Sequence, residues 1–243
     1  MTSRRRRTRI TLSSTLIVVA IAIAGYALHG TSTPSDPSTT STTEAAAPEP
    51  TRASSPAATA AAAHARALLA ALPVKGKAPA TGYDRTADFG TAWLDVDRNG
   101  CDTRNDVLAR DLTDVVRSGP CRVVSGELVS PYTGQAIDFV RGDTTSTLVQ
   151  IDHVVALENA WTTGAQQLGQ DEREALANDP ENLFAVDQHS NAQKRSGDAA
   201  TWLPADTAFR CTYVEHQVAV KTKYRLWVAP AERDAITRVL ERC

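Results

Sequence analysis

The residue types best suited to chemistry lie in one window, Gln150 to Asp198. It opens on Asp152-His153, passes Asn182-Leu183-Phe184-Ala185-Val186, and closes on Asn191-Ala192-Gln193-Lys194-Arg195. A carboxylate, an imidazole and a later amide can together serve one hard cation and its water. Successive residues of a strand point to opposite faces, so Asp152 and His153 converge only where their strand bends or ends. A helix residue opposite them then supplies a further ligand.

Elements of the right kind surround these residues. Thr147 to Val155 is a β-branched run carrying Asp152-His153, and a polar helical stretch follows it to Asn178. A second short strand is expected over Asn182 to Val186, and a helix start over Ser190 to Arg195. Upstream, Val107, Leu108, Leu112, Val115 and Val116 form an apolar stripe that predicts a helix over Arg104 to Arg117. Arg122 to Val129 and Gln135 to Phe139 read as strands joined through Ser130-Pro131-Tyr132-Thr133-Gly134. Ala205 to Tyr224 and Glu232 to Arg242 close the chain as helices. The whole is a mixed α+β pattern without internal repeats.

The N-terminus carries different information. Arg4 to Arg7 and Arg9 precede an uncharged run from Ile10 to Leu28, the arrangement of an export signal. That run is also close to the roughly 20 residues a membrane-spanning helix needs. Residues 1 to 30 are therefore a signal peptide or a signal anchor, and everything after them is extracytoplasmic. A Thr/Ser/Pro/Ala-rich tether is expected over 31 to 72, its last part, Ala57 to Leu72, being helical. The domain proper is then 73 to 243.

The chain holds 26 Lys+Arg and 28 Asp+Glu, a net charge of −2. Residues 1 to 72 contain seven Arg and three acids, which leaves 19 basic and 25 acidic residues, a net of −6, for 73 to 243. An acidic domain meets a polyanion only through a local basic patch or a metal ion. Four Cys in an exported segment, Cys101, Cys121, Cys211 and Cys243, suggest two disulfides. Three connectivities are open, and local pairing (Cys101 with Cys121, Cys211 with Cys243) is the simplest.

The window resembles the HNH endonucleases, and the wider chain resembles secreted bacterial HNH proteins related to the C-terminal part of GmrSD-type restriction enzymes. DHVVALENAWTTGA, NDPENLFAVD, NAQKRSGD with Trp202-Leu203-Pro204, and Cys211-Thr212-Tyr213 to Lys223-Tyr224 carry the likeness. So do Phe89-Gly90, Trp93-Leu94-Asp95 and Gly100 to Arg104. The resemblance implies a ββα-metal core over 147 to 200. It makes His153 the general base and Asp152 and Asn191 the ligands of one divalent ion, Mg²⁺ or Mn²⁺. Asn182 becomes the amide that pins the loop. The segment Ala156 to Glu181 separates His153 from Asn182 more widely than in the compact motif. Lys194, Arg195 and Arg210, with Lys221, Lys223 and Arg225, are expected to supply the basic patch for substrate phosphate. The implied protein is a phosphodiesterase, secreted or anchored outside the cytoplasm, acting on DNA with RNA as the open alternative; a monomer is expected.

Plainer readings stand beside these. Asn191 suits a helix N-cap, and His189 suits either a further ligand or a solvated loop. Asp95-Val96-Asp97-Arg98-Asn99-Gly100 with Asp106 has the oxygen spacing of a Ca²⁺ loop. A non-catalytic Ca²⁺-dependent envelope or partner-binding module is the competing function.

Overall fold

A computed structural model describes residues 55–142 and 145–243; the export segment and the tether up to residue 54 lie outside the described residues. The helices are α1 (Pro56–Ala71), α2 (Arg85–Phe89), α3 (Thr103–Asp111), α4 (Leu157–Thr162), α5 (Gln170–Ala177), α6 (Gln188–Lys194), α7 (Arg210–Lys223) and α8 (Pro230–Leu240). The strands are β1 (Thr113–Ser118), β2 (Arg122–Val129), β3 (Ala136–Val140), β4 (Val149–His153) and β5 (Leu183–Asp187). The domain is α+β, with an antiparallel sheet in the order β1-β2-β3 and a separate antiparallel pair β4-β5.

The β4-β5 pair is the frame of the window. Asp152 lies opposite Phe184 and His153 opposite Leu183, so the strand ends at His153. Helix α6 follows β5 directly, and Asp187 caps it by accepting from the Ser190 amide at 2.8 Å. Asn191 is therefore interior to the helix, and the N-cap reading of it gives way to Asp187. Helix α6 packs on both strands.

Two expected boundaries change. The apolar stripe over Arg104 to Arg117 is divided between α3 and β1, because Leu112 turns extended and Thr113, Val116 and Arg117 pair with β2. β-Branched residues fit that pleated surface better than a helix. Helix α1 is no loose lead-in: Ala62, Ala65, Leu69 and Leu72 enter one core with Val214, Val218, Ile236 and Leu240 of α7 and α8. The folded part thus begins before Pro73, since burying this small-residue face offsets the cost of ordering it.

Disulfides Cys101–Cys121 and Cys211–Cys243 join the segments by local pairing. The first ties the turn before α3 to the start of β2, and the second ties α7 to the residues after α8. Among the described residues no helix is long and apolar enough to cross a membrane.

Candidate functional site: a cationic cavity at the end of a hairpin

A cavity of about 530 Å³ opens at the end of β4. Asp152, His153 and Asn191 line it together, as do Arg85, Arg104 and Arg195. The end of the strand thus brings the Asp-His pair to one space, with α6 opposite.

His153 is buried, and its Nε2 lies 2.8 Å from the Ala177 carbonyl oxygen. A carbonyl only accepts, so Nε2 carries the proton and Nδ1 keeps the free lone pair. Burial first, and the charges of Arg85 and Lys194, push its pKa down to about 3 against the pull of the Ala177 hydrogen bond. The ring is therefore neutral across the physiological range. Trp93 lies nearly parallel to it, with ring centroids 6.4 Å apart, and holds a left-handed backbone at φ 66° beside the cavity. Such strain persists only where the surroundings enforce it.

Asn182 is fully buried and holds the chain that leaves β4. Its Oδ1 accepts from the Val155 amide at 2.8 Å, and its Nδ2 donates to the carbonyls of Val155 and Leu176. Its own carbonyl accepts from the Val154 amide. These bonds carry the chain past His153 and back toward α5. Asn178, the other Asn at that end, instead accepts from the Leu94 amide.

Asp152 is held from two sides. The Tyr132 hydroxyl donates to its Oδ2 at 2.5 Å, and the Lys194 ammonium lies 2.9 Å from Oδ2 and 3.1 Å from Oδ1. Burial, then the Asp152 charge, raise the Tyr132 pKa well above its usual value, so the phenol stays a donor. Lys194 also donates to the His153 carbonyl at 2.7 Å. The lysine expected on a phosphate-binding surface is thus fully buried and locks the Asp-His step of the strand onto α6. Asn191 donates its Nδ2 to Gln150 at 2.8 Å, which leaves its carbonyl end for a cation.

The remaining members of the expected basic patch disperse. Arg195 lines the cavity, whereas Arg210 donates its Nε to the Pro204 carbonyl and lines a different concavity. Lys221 pairs with Glu232 inside the core, Lys223 with Asp179, and Arg225 with Glu172. Their places are taken by Arg85 and Arg104, which α2 and α3 bring to the cavity from far upstream. Arg104 donates to the Val149 carbonyl, and burial followed by the like charge of Arg141 lowers its pKa. Among the described residues Arg85, Arg104 and Arg195 make no ion pair. No spacing rule marks them in the sequence. His189 is exposed and does not line the cavity.

The Asp95–Asp106 loop satisfies its own oxygens. Asp95 accepts from the amides of Asn99 and Gly100, Asp97 accepts from both amides of Asn99, and Asp106 accepts from the Asn99 side chain. It is an Asx-rich turn leading to the α3 cap, Asp102.

Residues 102–239 match the family described as GmrSD restriction endonucleases, C-terminal domain. An uncharacterized secreted protein of the fungus Arthroderma benhamiae is 37% identical over 181 residues, covering 74% of this chain and 84% of that protein. The chain belongs to the GmrSD C-terminal domain family; the relative named here is fungal, and so does not carry the bacterial part of the expected resemblance. No solved structure matches the chain.

Proposed function

We propose that the protein is a secreted, metal-dependent endonuclease of the HNH type that hydrolyses phosphodiester bonds, DNA foremost and RNA as a further substrate. The observation that carries this reading is His153: its Nε2–H is committed to Ala177, which leaves Nδ1 as the acceptor of a ring that lines a cavity with three guanidiniums, none of them in an ion pair among the described residues. A neutral imidazole of fixed tautomer is suited to take the proton from an attacking water. The guanidiniums suit the phosphate, whose charge grows as the water adds. Export agrees with the N-terminal sequence and with the secreted fungal relative.

The donor set fits one hard divalent ion. A carboxylate has about four lone-pair sites, and Tyr132 and Lys194 take three at Asp152, which leaves one on Oδ1. Asn191 adds a carboxamide oxygen on the same cavity. Two oxygen donors suit Mg²⁺ or Mn²⁺, which retain water and accept phosphate oxygens; among the described residues there is no cluster of three His, Cys, Asp or Glu that would build a closed metal site. Such an ion would stabilise charge on the phosphate and on the leaving oxygen. Lys194 and Tyr132 orient Asp152, and Asn182 orients the chain that carries His153.

Incubating the purified full chain with supercoiled plasmid tests the reading. Nicking with Mg²⁺ or Mn²⁺ that stops on chelation is expected. Intact plasmid across a full panel of divalent ions would refute the activity.

A further inference from the structure

A second concavity, of about 450 Å³, is lined by Arg210 of α7, by Arg238 and Arg242 of α8 and the residues after it, and by the apolar side chains Leu203 and Val239. Among the described residues no Asp or Glu lines it. Arg238 and Arg242 are exposed, and among the described residues none of the three arginines makes an ion pair. In a domain of net negative charge, three guanidiniums gathered without a counter-charge repel one another and attract an anion.

The chain places this concavity next to the first. Arg195 lines the His153 cavity and Ala199 lines the second. Four residues of chain reach at most about 14 Å, and phosphates on one strand of a duplex rise about 3.4 Å each. Arg195 and Ala199, one in each lining, are therefore separated by no more than about four phosphate steps.

We propose that the Arg210–Arg238–Arg242 concavity is a second nucleic-acid site, in which the guanidiniums take the phosphate backbone of the strand that passes His153. The apolar wall of Leu203 and Val239 takes a sugar or base face. The proposal rests on the phosphodiesterase reading for the identity of its ligand, and it adds a requirement for substrate length. An anionic lipid headgroup shares part of this chemistry, but the proximity of a phosphate-suited cavity favours nucleic acid.

The test uses the full chain carrying His153→Ala, so that substrate persists, titrated with a long and a very short fluorescent DNA oligonucleotide. Adding Arg238→Glu and Arg242→Glu is expected to weaken the long oligonucleotide by about tenfold or more and to shrink its salt dependence by about two charges. The short oligonucleotide should bind unchanged. Arg233→Glu, on the same helix but outside the concavity, sets the effect of net charge per substitution. An equal loss in Arg233→Glu, no loss in the double variant, or loss only of anionic-vesicle binding would overturn the proposal. Oligonucleotide binding that depends on Arg238 and Arg242, without cleavage by the unmodified chain, would uphold this site and refute the catalytic reading. Cleavage with an unchanged KM in the double variant would do the reverse.

Discussion

Two lysines, Lys194 and Lys221, are fully buried, and each meets a carboxylate at 2.8–2.9 Å. Their surroundings differ. Lys221 joins Glu232 to Thr163 and to the Trp227 carbonyl, deep between α7 and α8. Lys194 joins Asp152 to the His153 carbonyl on the wall of a cavity. The same contact therefore closes the core at one place and positions candidate chemistry at the other. The remaining cations divide in a similar way: Lys223 and Arg225 neutralise nearby carboxylates, whereas Arg85, Arg104 and Arg195 face a cavity with no ion pair of their own among the described residues. In an acidic domain it is the unpaired cation, rather than the density of basic residues in the sequence, that marks a place for an anion.

The largest expected effects come from the buried pairs. Lys194→Met and Lys221→Met each strand a buried carboxylate, and each should cost about 3–5 kcal/mol of stability in urea unfolding. Nuclease activity per folded molecule should collapse in Lys194→Met and persist in Lys221→Met. Equal specific activities in the two variants would dissolve the distinction between positioning and packing.

The unpaired arginines come next. Arg85→Gln or Arg104→Gln should remove a charge-assisted contact of about 1.5–3 kcal/mol, seen as a fall in kcat/KM of roughly tenfold or more. Lys223→Gln should leave kcat/KM near its original value, because that ammonium is occupied by Asp179. If the two kinds of variant lose activity alike, ion pairing does not sort substrate contacts from structural ones.

The smallest effect concerns Lys77, which is partly exposed and lies 2.6 Å from the buried Asp198. Burial raises the Asp198 pKa, but the hydrogen bond and charge of Lys77, joined by the Ala200 amide and the charge of Lys221, outweigh it and leave the carboxyl below its ordinary range. A carboxyl depressed in the folded state contributes stability above its unfolded pKa, and that contribution is lost as pH falls through the folded value. Lys77→Met should therefore cost up to about 1 kcal/mol near neutral pH, and the gap should close in acid. A gap that widens in acid would contradict the pairing.

The sequence revealed the frame of the site better than its walls. The β-branched run around Asp152-His153, the apolar strand after Asn182 and the local Cys pairs are short-range signals, and each corresponds to an observed element or bond. The partners of Asp152 were not legible, since Tyr132 arrives from a loop twenty residues upstream and Lys194 from a helix forty-two residues downstream. Arg85 and Arg104 reach the cavity through tertiary packing alone. Arg210 lines the second concavity rather than the His153 cavity, because closeness in sequence to Lys194 and Arg195 does not determine which way α7 faces. The stripe over Arg104 to Arg117 satisfied a helical period by coincidence, and pairing with β2 decided the structure of its second half.

In the proposed mechanism His153 Nδ1 activates the water. Single-turnover cleavage of a DNA duplex, comparing the unmodified full chain with His153→Ala under the best divalent ion, tests it most directly, with circular dichroism confirming that the variant is folded. In His153→Ala the rate is expected to be lower by about a hundredfold to ten-thousandfold, with DNA binding retained. A folded His153→Ala protein that cleaves at close to the original rate would contradict it.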